Sequence, residues 1–430
     1  MEKFDYNKKD KFFWKYNDAL EHLEKIVSSF IREVEYDDEH NPIEHYSSRI
    51  KSIESIYEKL QKRGLEFNAY NIENNLMDVA GIRIVCHFKN DLYRMIELIR
   101  KDLSIDVVCE KDYINNPKKS GYSSYHMIVK VPIIDNDKFI YVPVEIQIRT
   151  LAMDLYASLE HKTRYKKDVY LTDEMNETIY DIRQKTVNMD NELKNIIDES
   201  AMVSKTIKSK DSLLYDLGLS SKIDADMLEK YDLGLEKLKC ILKEIFTGYS
   251  IEEKNSMEDV KYRRKTPKSI YKKLVSKGVF DFSEDSIDKN LNDVIGGRIV
   301  CSFLSDMDNI IESIISYFGE DNVIIKDYVK NPKESGYSSY HIIVKVPVYY
   351  KEETIFVNAE IQVRTKAMNM WASFHHKLCY KKETTPEIEE MLKEWAYEIR
   401  KIDKSYDDIY RKVYKYIGMD KPKSLARIKK

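Results

Sequence analysis

Cysteine is scarce in this 430-residue chain, and the five present (Cys86, Cys109, Cys240, Cys301, Cys379) are scattered. Their number is odd and no C-x-x-C pair occurs. Neither a zinc site nor a disulfide framework is implied, and a reducing cytoplasmic setting is expected. Cys86 and Cys301 lie in apolar, strand-like runs, where a small buried thiol is the plain reading. A surplus of charge is lacking too: 71 Lys plus Arg stand against 74 Asp plus Glu, a net charge of −3. That balance disfavours a strongly basic nucleic-acid binder. No run approaches the roughly 18 apolar residues of a membrane span, and MEKFDYNKKD at the start has no apolar signal core. A P-loop, a G-x-S-x-G elbow and Cys/His clusters are also absent, so covalent catalysis has no candidate nucleophile.

What the chain does have, it has twice. NPKKSGYSSYH at 116–126 returns as NPKESGYSSYH at 331–341, with ten of eleven letters unchanged. DVAGIRIVCHF (78–88) returns as DVIGGRIVCSF (293–303), and VPVEIQIRTLAMDLYASLEHK (142–162) as VNAEIQVRTKAMNMWASFHHK (357–377). From Asp78 to Lys166 the offset is a constant 215; upstream, RIKSIESIYEKL (49–60) matches RRKTPKSIYKKL (263–274) at 214. A repeat of that length is a duplicated domain, since solenoid units run to about 20–50 residues. Amphipathic patterns at 14–31 and 228–246 precede the two cores, and helical patterns at 173–208 and 386–417 follow them. The boundary is placed in SKDSLLYDLGLSSKID near 209–224, giving domains 1–210 and 211–430. Each copy reads helix, helix, strand, helix, three strands, helix and further helices. The strands are GIRIVCHF, IDVVCE, YHMIVKVP and FIYVPVEIQIR. A mixed sheet backed by helices follows, an α+β (α/β-type) domain.

Along 139–149, Val142, Val144, Ile146 and Ile148 alternate with Glu145, Gln147 and Arg149. A period of two places the polar three on one face. Copy 2 repeats them as Glu360, Gln362 and Arg364. Alone, such a face is ordinarily a solvated one. Asp78 opens D-x-x-G-x-R; it is either a cap at the glycine bend or, with Glu145, a carboxylate pair for Mg²⁺. Arg83 can meet a phosphate or stack on a base. RIKSIESIYEKLQKRG reads as a helix burying Ile50, Ile53, Tyr57 and Leu60, with Lys51 and Lys59 two turns apart, a span of about 12 Å that suits a polyphosphate. In the repeated loop, Gly121 permits an unusual turn and Tyr122 offers a stacking face, with Lys118 and His126 as polar contacts. Asp154, Ala157, Ser158 and His161 form a small polar stripe; copy 2 has Asn369, Ala372, Ser373 and His376 there.

In this order, the motifs R-x-K-S-x-x-S-I-x-x-K, D-x-x-G-I-R, D-Y-I-x-N-P-K-x-S-G-Y-x-S-Y-H, E-I-Q-I-R-T and A-M-D-x-x-A-S-L-E-H-K resemble the synthetase domain of the RelA/SpoT family, in particular its small alarmone synthetases. The resemblance covers each half almost entirely. It implies a nucleotidyltransferase-like fold and transfer of the β,γ-pyrophosphate of ATP to the 3′-hydroxyl of GDP or GTP, giving (p)ppGpp and AMP. By the same resemblance Arg49 and Arg83 sandwich adenine, and Lys51 and Lys59 hold the ATP phosphates. Asp78 and Glu145 bind Mg²⁺, with Glu145 also taking the 3′-hydroxyl proton. Tyr122 stacks on guanine, with Lys118, His126, Gln147 and Asp154 near the acceptor. Copy 2 matches at Arg263, Lys265, Lys273, Asp293, Arg298, Lys333, Tyr337, His341, Glu360, Gln362 and Asn369.

Some positions depart from the pattern or between the copies. Ser123 and Ser338 stand where many relatives carry Arg or Gln, and Asp154 against Asn369 changes the hydrogen-bonding edge, so the halves are expected to differ in acceptor preference. Glu160 becomes His375 and Ile82 becomes Gly297. No His-Asp dipeptide occurs, so the family's hydrolase half is not expected. Two alternatives stand beside the lead reading: a toxin-type relative with adenosine nucleotides or tRNA as acceptor, and one half serving as a regulatory nucleotide-binding module. Partners implied are ATP and GDP/GTP, an allosteric alarmone, and a homo-oligomer or intramolecular pseudo-dimer built through the terminal helices.

Overall fold

In a computed structural model, the structure describes residues 9–38, 41–102, 104–118, 120–164, 171–203, 223, 225–249, 257–379 and 385–416. The expected boundary at 210/211 lies outside the described residues, as do the last residues of the helical patterns drawn to 208 and 417. By contacts the chain divides into two compact units, residues 1–158 with 180–202, and residues 159–179 with 203–430.

The first copy runs α1 (Lys9–Asp38), β1 (Ile43–Ile50), α2 (Ile53–Lys62), α3 (Ala69–Asn75), β2 (Ala80–Cys86), α4 (Lys89–Lys101), β3 (Asp106–Asp112), β4 (Tyr125–Asp135), β5 (Lys138–Thr150), α5 (Leu151–Arg164) and α6 (Asp173–Val203). The second runs α7 (Ala225–Thr247), β6 (Met257–Arg264), α8 (Pro267–Ser276), α9 (Glu284–Asn290), β7 (Ile295–Cys301), α10 (Leu304–Phe318), β8 (Val323–Asp327), β9 (Tyr340–Tyr350), β10 (Glu353–Thr365), α11 (Lys366–Cys379) and α12 (Pro386–Tyr416). Each copy is α+β, with one five-stranded mixed sheet of order β1-β2-β5-β4-β3 or β6-β7-β10-β9-β8. Among the described residues only the β2–β5 and β7–β10 pairs are parallel.

Alternation along the strands sorts each sheet into two faces. In the first copy Ile82, Ile84, Met127, Val129, Val144, Ile146 and Ile148 are buried in one cluster with Tyr16, Leu23 and Val27 of α1, Ile56 and Leu60 of α2, and Leu92, Met95 and Ile96 of α4. Burying that many aliphatic side chains, at about 1.5–3 kcal/mol each, fixes the register, because a one-residue slip would turn them outward. The polar residues of the same strands are left on the opposite face.

Two expectations need correcting here. The helix expected to begin at Arg49 does not: Ile43–Ile50 is a strand, so Arg49 sits on β1 and α2 starts only at Ile53, behind the cap Ser52. Within α2 the buried residues are Ile56 and Leu60, whereas Tyr57 is exposed. The helix therefore turns its Ile56 edge to the core, and Tyr57 instead meets Phe67 edge-on at 5.6 Å.

Candidate functional site

Strand pairing builds the polar face in rows. Arg49, Gly81, Glu145 and Ile128 lie side by side across β1, β2, β5 and β4; the next row is Ser47, Arg83, Gln147, His126 and Lys111. Copy 2 repeats the rows as Arg263, Gly296, Glu360 and Ile343, then Lys261, Arg298, Gln362, His341 and Lys326. Adjacent rows of one face are within reach of long side chains, so Arg49 and Arg83 are diagonal neighbours, as are Arg263 and Arg298. Room for a side chain is short where β2 and β7 meet this row, most of all on β7. A Cβ on Gly81 would sit 3.3 Å from the Glu145 carbonyl oxygen, and one on Gly296 would collide with that of Glu360.

Asp78 precedes β2, with Lys51 and Lys59 both on its Oδ2, the latter at 2.5 Å. The lysines thus converge on one carboxylate instead of spanning two turns; Lys51 precedes the helix, and its amide is fixed to the Val79 carbonyl at 2.8 Å. Asp78 Oδ1 is buried and without a hydrogen-bond partner. Burial pushes the Asp78 carboxyl up, but the hydrogen bonds and charges of Lys51 and Lys59 outweigh it and hold the group below its usual range. Burial also lowers Lys51 against the pull of Asp78. Copy 2 matches: Lys265 is 2.9 Å from Asp293, Lys273 also contacts it, and Asp293 Oδ1 is likewise buried and unpartnered.

Glu145 accepts from His126 Nδ1 (3.1 Å) and Gln147 Nε2 (2.7 Å). His126 Nε2 lies 2.9 Å from Tyr122 Oη, which accepts from Arg149 Nη2 at 2.6 Å. Arg149 also donates to Gln147 (3.0 Å) and Asp154 (3.1 Å). In copy 2 Glu360 holds His341 at 3.1 Å and Gln362 at 3.0 Å, His341 meets Tyr337 at 2.8 Å, and Arg364 reaches Tyr337 at 2.6 Å and Gln362 at 2.7 Å. Burial raises the Glu360 carboxyl, but the His341 hydrogen bond, the charge that ring carries when protonated, and the Gln362 amide together hold it at about 2. Glu145 is lowered for the same reasons.

The repeated loop delivers the aromatic. Gly121 (φ 88°) and Gly336 (φ 89°) take the left-handed turn just before Tyr122 and Tyr337. Lys118 Nζ lies 4.8 Å from the Tyr113 ring centre and 4.9 Å from that of Tyr122; Lys333 sits likewise over Tyr328 and Tyr337 at 4.8 and 5.1 Å. On α5 Asp154, Ala157 and Ser158 are buried and His161 is exposed, so the expected stripe contributes three of its four members to the interior.

All the expected site residues of each copy thus fall on this face, its loop or the helices at its ends. Arg149 and Arg364 were expected on the polar face, but not as buried hubs tying the loop tyrosine to the glutamine; Tyr113 and Tyr328, the second aromatic under each lysine, were not singled out. Their signal was available: both recur in the two copies, inside the quoted motifs. Among the described residues no group of three or more His, Cys, Asp or Glu could enclose a metal. The paired carboxylates, each with an unpartnered buried oxygen on the aspartate, do fit a hard cation such as Mg²⁺, which takes one or two carboxylates and completes its shell with phosphate oxygens and water. None of the helices, among the described residues, is long and apolar enough to cross a membrane.

A family model described as a region found in RelA / SpoT proteins matches residues 48–170 and again 262–385. The chain is 43% identical over 166 residues to the GTP pyrophosphokinase YwaC of Bacillus subtilis, covering 38% of this chain and 79% of the relative. It is 39% identical over 161 residues to the GTP pyrophosphokinase YjbM of the same organism, covering 36% and 73%. Among solved structures, it is similar to small alarmone synthetase 1 of Bacillus subtilis bound to its product pppGpp (33% identity, 45% of this chain and 97% of that one, TM-score 0.42).

Proposed function

The chain belongs to the family of RelA/SpoT proteins, and from that membership we propose that it is a GTP diphosphokinase with two catalytic domains, residues 1–210 and 211–430. Each copy would move the β,γ-pyrophosphate of ATP to the 3′-hydroxyl of GDP or GTP, giving (p)ppGpp and AMP. One observation carries the reading: the same row of arginine, glycine and glutamate, beside an aspartate held by two lysines, is built twice with matching contacts.

Pyrophosphoryl transfer asks for positioning and charge neutralisation, and no covalent nucleophile. Asp78 and Glu145, or Asp293 and Glu360, would hold Mg²⁺, which when bound neutralises charge on the phosphate oxygens. Lys51 and Lys59 have three donors each, enough to keep Asp78 and still face the polyphosphate. Arg49 and Arg83, diagonal neighbours on the sheet, would flank adenine, since a planar guanidinium stacks on a flat ring. Tyr122 would stack the acceptor base, with Lys118 at its phosphates. Glu145 stays ionised under His126 and Gln147, so it can accept the 3′-hydroxyl hydrogen bond at once. A carboxyl held below its usual range is a weaker base, and proton transfer to it comes late, as the new oxygen–phosphorus bond forms.

The test is a product assay with Mg²⁺ and β-³²P-labelled ATP, offering GDP, GTP, GMP, ATP and tRNA separately. Label on GDP or GTP is expected. Label on an adenosine nucleotide or on tRNA would replace this reading with the toxin-type one.

A further inference from the structure

The copies share their reactive row and differ beside it. In copy 1 a single carboxylate oxygen, Asp154 Oδ1, faces two guanidinium groups: Arg149 Nη1 at 3.1 Å and Arg83 Nη1 at 3.6 Å. Asp154 is 1% and Arg149 4% exposed, so the charges act through protein and are little screened by water. Arg149 in turn holds Tyr122 Oη at 2.6 Å and lies 5.1 Å from the centre of its ring. A continuous chain, Arg83–Asp154–Arg149–Tyr122, therefore joins the residue read as adenine clamp to the residue read as acceptor platform.

Copy 2 keeps both ends. Arg364 holds Tyr337 at the same 2.6 Å and the same 5.1 Å from its ring, and Arg298 occupies the row position of Arg83. Asn369, however, stands where Asp154 would be, and a neutral amide has no charge with which to hold two arginines.

We propose that Asp154 is a positioning residue that couples the two nucleotide sites of copy 1, and that Asn369 leaves those of copy 2 uncoupled. The inference rests on the site reading above for what binds at each end. Arg83 and Tyr122, the two ends of the chain, are partly exposed, the Arg83 side chain 29% accessible. An adenine laid on it fixes the guanidinium; the shared oxygen then has a fixed partner on either side, and Arg149 and Tyr122 lose freedom with it. The second nucleotide meets a platform already ordered and loses less entropy on binding. Coupling of this kind is reciprocal and ranges over about 5–150-fold; one ion-pair link belongs near the low end, about tenfold.

The experiment is calorimetric titration of the full chain with GDP, in Mg²⁺, with and without the α,β-methylene analogue of ATP, which cannot release pyrophosphate. Copy 1 is observed alone in a Lys273→Ala, Tyr337→Ala background, and copy 2 alone in Lys59→Ala, Tyr122→Ala. Expected in copy 1 is an approximately tenfold tightening of GDP by the analogue, matched when the order is reversed and abolished by Asp154→Asn. Expected in copy 2 is no tightening, with Asn369→Asp creating it. Should Asp154→Asn fail to fold, the gain in Asn369→Asp decides. Equal coupling in both copies, or coupling that survives Asp154→Asn, overturns the proposal while the site reading stands. GDP binding to copy 1 that ignores Tyr122→Ala overturns the site reading, and the proposal with it.

Discussion

Glu360 is pulled two ways, raised by burial and lowered by His341 and Gln362, and the second wins, from 4.5 to about 2. A folded-state value below the unfolded one stabilises the protein above the unfolded value, and that stabilisation is lost as pH falls through about 2. Glu360→Gln is therefore expected to lower stability at neutral pH by about 1–3 kcal/mol and by less in strong acid, as read from urea midpoints across that window. Its neighbour Arg364, like Arg149, shows why the site was only partly legible. The two carboxylates, the lysines and the loop tyrosines stood out by chemistry and repetition. An arginine two places further along a polar strand face ordinarily points into water; here both are buried and held by the loop tyrosine and the neighbouring glutamine. The convergence of Lys51 and Lys59 on one oxygen was hidden for a related reason, since it depends on where a helix begins.

At the level of the elements, that start was obscured by β1. IEHYSSRI has no period-two alternation, because it is an edge strand with Ile43 alone fully buried, and its register comes from β2. The other four strands alternate or run apolar, and all four were legible to within a few residues. A tight crossing of two of them gives a prediction. A methyl on Gly296 meets the Glu360 carbonyl, so Gly296→Ala should destabilise copy 2 by about 1–3 kcal/mol and reduce its turnover, whereas Gly81→Ala, with 3.3 Å available, should cost less. Differential scanning calorimetry distinguishes them. The long helix α12 docks through another buried group. Asp403 accepts from Thr365 Oγ1 at 2.6 Å, and Thr365 caps α11 by accepting from the Met368 amide. Burial pushes this carboxyl up, the Thr365 hydroxyl opposes and the Asp407 charge adds, leaving it at about 7. A raised value has the opposite sign: its stabilisation is complete below 3.8 and is lost as pH rises through about 7. Asp403→Asn keeps an acceptor for Thr365 without the charge, and should melt about 3 °C above wild type on the alkaline side of that window and alongside it on the acid side.

For the molecule as a whole, the fold was legible because it is written twice, and the second writing separated what the site repeats from what only fills a core. Both copies retain the aspartate, the glutamate and the lysine pair. Glu145→Gln and Glu360→Gln are each expected to remove part of the pyrophosphate transfer, and the double variant nearly all of it, about 100-fold or more; initial rates at saturating ATP and GDP decide. A single variant that abolished all turnover would mean one working copy. The duplicated row of arginine, glycine and glutamate also has a genetic consequence. With both rows at work, a lesion in either would be masked by the other, and a screen for loss of product should return few single hits in the site residues. It should return pairs instead, one from each row, and evolution is free to let one row drift while the other carries the phenotype.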